Sequence, residues 1–209
     1  AKLWLPDHGG KPTFKSVQGN FGSCGEVNGY IQKLMLPIGA EVITIGDLHG
    51  CMHAFARILC ELMRTGYLDH NLRLIKPNTY MMFLGDFTDY GFDGIGTLGT
   101  AFQLRLANPG RVSLCRGNHE DVSLNEQSNY GFASEVRSKY GNAQAQSMLS
   151  AVYDLYEHLP FAIFLGIEGV QGAGYAQCCH GGIEQRARET IRTLLKDKHA
   201  RFAKLPANS

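Results

Sequence analysis

From Glu41 onward the chain repeats one texture: short β-branched or apolar runs, each closed by a polar turn that contains glycine. Four such units stand out. Val42–Ile45 leads into Gly46-Asp47-Leu48-His49-Gly50, and Tyr80–Leu84 leads into Gly85-Asp86. Val112–Cys115 leads into Arg116-Gly117-Asn118-His119-Glu120, and Ala176–Cys179 into His180-Gly181-Gly182. Runs this short and apolar predict buried strands that deliver polar side chains at their C-terminal ends. Between them the period changes. Met52, Phe55, Ile58, Leu59, Leu62 and Met63 recur at helical spacing before Gly66, and Met148, Val152, Leu155 and Leu159 do so before Pro160. Strands alternating with helices predict an α/β domain over residues 41–209. In open α/β sheets ligands gather outside the carboxyl ends of strands, so the chemistry is expected along one sheet edge.

Residues 1–40 read differently. They are rich in Gly, Pro and Asn, with only a hint of helical spacing over Tyr30–Leu36, and predict an irregular N-terminal arm. No internal repeat or low-complexity tract divides the rest.

Composition narrows the function by exclusion. Twenty Lys and Arg against nineteen Asp and Glu leave a formal charge of +1, so no long-range field draws in nucleic acid or an anionic membrane. Any phosphate recognition must be local. The most apolar stretch, Leu159–Leu165, is interrupted by Pro160 and falls far short of the roughly 20 residues that span a bilayer. The six cysteines show no CxxC pair and come without a secretory leader, which predicts reduced thiols in a cytosolic setting.

The four turns present Asp47 and His49, Asp86 and Asp89, Asn118 and His119, and His180. A mixed oxygen and imidazole set suits divalent manganese, iron or zinc better than calcium or a thiolate site. Such groups converging on one place repel or stay unsatisfied unless cations sit among them. A carboxylate bridging two ions about 3.5–4 Å apart can acidify water and clamp an in-line displacement, which points to phosphate ester hydrolysis. One such turn alone is an ordinary strand-to-loop connection. Four in order, each after a predicted strand and each flanked by glycine, carry the reading.

GDLHG at 46–50, GDFTDYG at 85–91, RGNHE at 116–120 and HGG at 180–182 resemble the signature series of the PPP serine/threonine phosphatases. The resemblance covers residues 41–183 and extends to Asn129-Tyr130-Gly131-Phe132, the helix ending at Leu159-Pro160, and Cys178-Cys179. It implies a calcineurin-like metallophosphoesterase sandwich of central sheets flanked by helices, acting on phosphoproteins with two divalent ions, manganese before iron or zinc. By position it implies that Asp47 and His49 hold the first ion, Asp86 bridges, and Asn118 and His180 hold the second. His119 then resembles the general acid and Asp89 its orienting partner.

Two departures stand against the pattern. Tyr90 occupies the place where the family carries an arginine that grips the substrate phosphate, and a phenol offers one neutral hydrogen bond in place of a charged bidentate grip. Arg116 is either a compensating phosphate contact or a structural support. The family also places a further metal-binding histidine and an arginine beyond the HGG turn. His199 reads instead as a solvated residue on a basic helical stretch with Arg192 and Arg201, so the chain is expected to lack its C-terminal part. His53 opens a helix and reads as exposed. An extra segment, Leu68–Asn78, together with Tyr90 is similar to divergent bacterial members, the Legionella effector phosphatases of the Wip group, which would work inside a host cell. Two other readings remain: a diadenosine-polyphosphate hydrolase sharing the GDxHG and GNH turns, and a phosphatase-like binding module without catalysis. Asp89 and Glu120 argue against the first, and an oriented general acid argues against the second.

Overall fold

Alternation along two sets of strands sorts the apolar side chains of this protein into three layers. The computed structural model describes residues 29–127, 131–170 and 174–205, so most of the predicted arm and the Asn129-Tyr130 pair lie outside the described residues. Strands β2 (Glu41–Ile45), β3 (Thr79–Phe83) and β4 (Val112–Leu114) form a parallel three-stranded sheet in that order. The second sheet runs β6 (Ala176–Cys179), β5 (Ala162–Ile167), β1 (Tyr30–Leu36), β7 (Phe202–Lys204), with β1 and β5 parallel and both outer strands antiparallel.

On β3, Met81 and Phe83 face helices α1 (Met52–Arg64), α2 (Gly94–Ala107) and, beyond the short α3 (Val122–Glu126), α4 (Phe132–Tyr156), meeting Phe55, Leu59, Leu98, Leu104 and Leu149. The alternate residues Tyr80 and Met82 face the other sheet, where Leu36, Cys115, Ile163 and Leu165 join them. On β5, Ala162 and Phe164 point the opposite way, to Leu194 of helix α5 (Arg188–Lys196) and to Leu205. The period of two in each strand thus builds helices, sheet, sheet and helix, the expected α/β sandwich. Cys178 and Cys179 obey the same rule and pack on opposite faces of β6. Among the described residues no helix is long and apolar enough to cross a membrane.

Three expectations are corrected. Tyr30–Leu36 is not helical or irregular but a strand lying between β5 and β7. Its spacing misleads because Lys33 occupies an inward position: Lys33 is 2% exposed, and its ammonium donates to the carbonyls of Leu194, at 2.9 Å, and Asp197 at the C-terminus of α5. A cation there satisfies orphan helix carbonyls and complements the helix dipole. The second correction concerns α4, which begins at Phe132 and carries a kink at Gly141, so the predicted apolar helix before Pro160 is only its last part. Finally, α5 ends at Lys196, and His199 lies beyond it, exposed, with its N–H donating to the capping carboxylate of Asp197 at 2.8 Å.

Replacing Lys33 with methionine keeps the apolar stem and removes the donors. Urea unfolding should show a loss of about 1–3 kcal/mol, the cost of leaving buried carbonyls unpaired.

Candidate metal centre

The three parallel strands end side by side, and their turns are sewn together by backbone hydrogen bonds. The carbonyl of Asp86 accepts from Leu48 N–H and His49 N–H, both at 2.9 Å, and that of Phe87 accepts from Gly50 N–H at 2.8 Å. The third turn joins through Glu120. Its carboxylate, fully buried, accepts from the N–H groups of Asp86 at 2.7 Å, Phe87 at 2.9 Å and Gly117 at 2.8 Å. Burial pushes the Glu120 pKa up to about 7, and the three N–H donors pull against that rise. Close approach explains the glycines here: a Cβ on Gly85 would run into the backbone nitrogen of Gly117. Of the six described non-glycine residues with left-handed backbone, four lie in these turns, His49, Asp86, Asp89 and Tyr90, with φ of 44°, 55°, 67° and 62°. Each costs of the order of 1 kcal/mol and persists because the surrounding bonds over-determine it.

Asp86 is the hub. It is buried, its Oδ1 accepts from His119 N–H at 3.0 Å, and its Oδ2 lies 3.1 Å from His180 Nε2 and 3.6 Å from His49 Nε2. Ligand atoms of Asp47, Asp86 and His180 all lie within 4.8 Å of one another, and those of His49, Asp86 and His119 do the same. The resemblance paired Asp47 with His49, whereas here Asp47 stands with His180. Asn118 sits at the surface one residue before His119 and is exposed. His49 Nδ1 is 3.1 Å from the Thr88 carbonyl, which can only accept, so the proton resides on Nδ1 and the Nε2 lone pair is free to ligate.

The donor set fits a divalent cation. His180 Nδ1 is shielded from solvent and makes no hydrogen bond, although it lies 3.4 Å from Asp47 Oδ1. A buried imidazole nitrogen without a partner, among carboxylates, is what a cation would satisfy. One expectation changes with His180: β6 belongs to the second sheet, so the residues gather where two sheets meet and not along one sheet edge.

Beside this cluster, His119 Nδ1 lies 2.7 Å from Asp89 Oδ2. Asp89 is itself pinned: Phe132 N–H donates to Oδ1 at 2.6 Å and Asn125 Nδ2 to Oδ2 at 2.9 Å. Asn125 also donates to the His119 carbonyl at 2.9 Å and accepts from the Tyr156 hydroxyl at 3.0 Å. The Tyr90 ring is exposed and stands edge-on to both His49 and His119, 5.0 Å from each. Arg116 is committed elsewhere: it is 8% exposed, its Nε donates to the Glu120 carbonyl at 2.9 Å, and its guanidinium lies over the Phe161 ring. Burial lowers its pKa. That geometry favours the structural support over the phosphate contact. His53 is exposed and belongs to neither ligand group.

Sequence reasoning passed over Glu120, Asn125 and Tyr156 as site residues. Glu120 carried a signal, since it closes the RGNHE turn, but Asn125 and Tyr156 lie outside every motif.

Comparison with known proteins gives the class first. Residues 40–206 match the calcineurin-like phosphoesterase family, a stretch that holds all four turns, and the chain belongs to that family. Within it the relatives are more particular. The chain is 30% identical over 173 residues to the serine/threonine-protein phosphatase PP2A-like PPG1 of Candida albicans, covering 82% of this chain and 35% of that one. It is 33% identical over 162 residues to the serine/threonine-protein phosphatase 6 catalytic subunit of Drosophila melanogaster, covering 77% and 46%. A solved serine/threonine phosphatase of Saccharomyces cerevisiae, with similarity to human PP5, superposes with a TM-score of 0.50 at 26% identity, over 64% of this chain and 38% of that one. The resemblance read from the motifs is borne out at the level of the family. The chain spans less than half the length of the curated relatives it matches.

The Glu120 clamp generates a test. Glu120→Gln keeps the shape but offers one acceptor oxygen and an NH₂ to three N–H donors. Unfolding in urea should show a loss of about 2–4 kcal/mol, and an unchanged midpoint would mean the clamp does not hold the turns.

Proposed function

We propose that this chain hydrolyses phosphate monoesters on phosphoproteins, phosphoserine and phosphothreonine first, using two divalent ions. Asp47, His49, Asp86, Asn118 and His180 would hold them, manganese being the natural choice for this oxygen and imidazole set. The observation that carries the reading is the sharing of Asp86: one buried carboxylate belongs to both groups of clustered ligand atoms. The serine/threonine phosphatase relatives support the substrate class. When bound, the ions supply Lewis acidity, making water nucleophilic at neutral pH and neutralising charge that develops on the phosphoryl oxygens.

The chain's own residues do the rest. Asp89 accepts the Nδ1 proton of His119 at 2.7 Å, which fixes the ring and turns Nε2 toward the clustered ligands as the proton donor. As the bond from phosphorus to the seryl or threonyl oxygen breaks, His119 Nε2 gives that oxygen its proton, so the leaving group departs as an alcohol. Asn125 prevents Asp89 and His119 from drifting apart by donating to both. Tyr156 holds Asn125 in that orientation.

The division of roles is testable. His119→Ala should leave manganese content intact and lower turnover of a phosphothreonine peptide by about 10²–10⁴; loss of the metal would make His119 a ligand instead. Asp86→Asn should lose manganese, measured by elemental analysis, along with nearly all activity. Manganese should also raise the melting temperature of the unaltered chain and leave that of Asp86→Asn unmoved, a readout independent of turnover.

A further inference from the structure

Phe92 is 97% exposed, two residues from the Tyr90 ring that touches both His49 and His119. Exposed phenylalanines are common on slack loops, but this one is not on a slack loop. Gly91 N–H donates to the Asp89 carbonyl at 2.7 Å, and Asp93 N–H donates to the Gly50 carbonyl at 3.0 Å. Gly91 packs so tightly on the His49-Gly50 backbone that a Cβ there would collide with the His49 carbonyl. The Phe92 carbonyl accepts from Lys139 Nζ at 3.2 Å, and Asp93 caps α2 by accepting from Gly96 N–H at 3.2 Å. Backbone on both sides of the ring is therefore fixed, while the ring itself forgoes burial that most phenylalanines obtain.

The surrounding charges are spent on one another. Lys139 is bonded to Asp93 at 3.0 Å and Glu135 at 2.7 Å, so none of the three is an uncompensated charge beside Phe92. A rigid aromatic group held out to solvent needs little ordering on contact, which is the property of an interface anchor. Two residues of extended chain reach about 7 Å, so a ligand side chain on Phe92 would sit within about three residues of the group being hydrolysed.

We propose that Phe92, two residues along the chain from the Tyr90 ring that stands against His119, is a specificity-determining shelf for an apolar side chain of the substrate polypeptide close to its phosphorylated residue. This rests on the phosphatase reading above. The test uses pairs of fluorescent phosphothreonine peptides that differ only in leucine or serine, placed one, two or three residues to either side. For each, kcat/KM and, separately, binding by anisotropy are measured with manganese, for the unaltered chain and for Phe92→Ser. Phe92 lies at the surface, so that substitution leaves folding undisturbed.

The unaltered chain should favour leucine by about fivefold to tenfold at one or more positions, through KM, and Phe92→Ser should bring that ratio to about one. No leucine preference in the unaltered chain, or a preference that survives Phe92→Ser, overturns the shelf. Turnover without preference overturns the shelf and keeps the phosphatase, and a Phe92-dependent preference in binding without turnover does the reverse.

Discussion

One buried carboxylate organises the centre. Glu120 receives N–H groups from the turns that follow β3 and β4, and the Asp86 carbonyl, set in place by that clamp, receives two more from the turn that follows β2. Three strand ends are thereby held in one arrangement. A carboxylate suits the task because its two oxygens carry about four lone-pair sites, enough for three donors at once. Desolvation opposes the charge, which is why the pKa rises toward neutrality, and every N–H aimed at it opposes that rise. If the clamp were loosened, the left-handed backbone of Asp86 would rest on its bonds to Leu48, His49 and His119 alone, and the hub would lose part of its aim.

The fourth contribution comes from elsewhere in the fold. His180 arrives from the second sheet and meets Asp86 at 3.1 Å, across the boundary that the apolar layer of Met82, Ile163 and Leu165 holds shut. In the proposed centre a cation would therefore join the two sheets as well as serve chemistry. Its binding energy would then add to the stability of the sandwich, since ligands that must be assembled by folding couple metal affinity to folding.

Most of the centre was legible because the relevant residues follow strands whose pattern is unmistakable. The turns after Ile45, Phe83, Leu114 and Cys179 lie where apolar runs stop, and the observed strands match those runs to within one residue at each end. What the pattern hid has physical reasons. β1 places a buried lysine where an apolar residue was expected, and its ammonium bonds to carbonyls at the end of a helix more than 160 residues away. β5 starts two residues after Pro160, and the apolar stretch Leu159–Leu165 that holds most of it has no alternation to mark it as a strand because both faces of β5 are buried. Helix α2 is rich in glycine and is apolar on much of its surface, which leaves no stripe to recognise. Asn125 and Tyr156 act through contacts that no local period encodes. Arg116 shows the opposite limit: a cation in the right motif, with its side chain turned into the frame.

The left-handed residues have a consequence for how this protein can change. At Tyr90, with φ of 62° and a largely exposed ring, glycine would relax the backbone at little packing cost. At His49, Asp86 and Asp89 the same relief would remove side chains whose hydrogen bonds build the centre. Among the described non-glycine residues, torsional strain can be relieved without touching the proposed centre only at Leu72 and Asn78, with φ of 58° and 53°; the other four left-handed residues belong to it. Thermal robustness is better sought there and in the helical layers, leaving this corner of the sandwich taut.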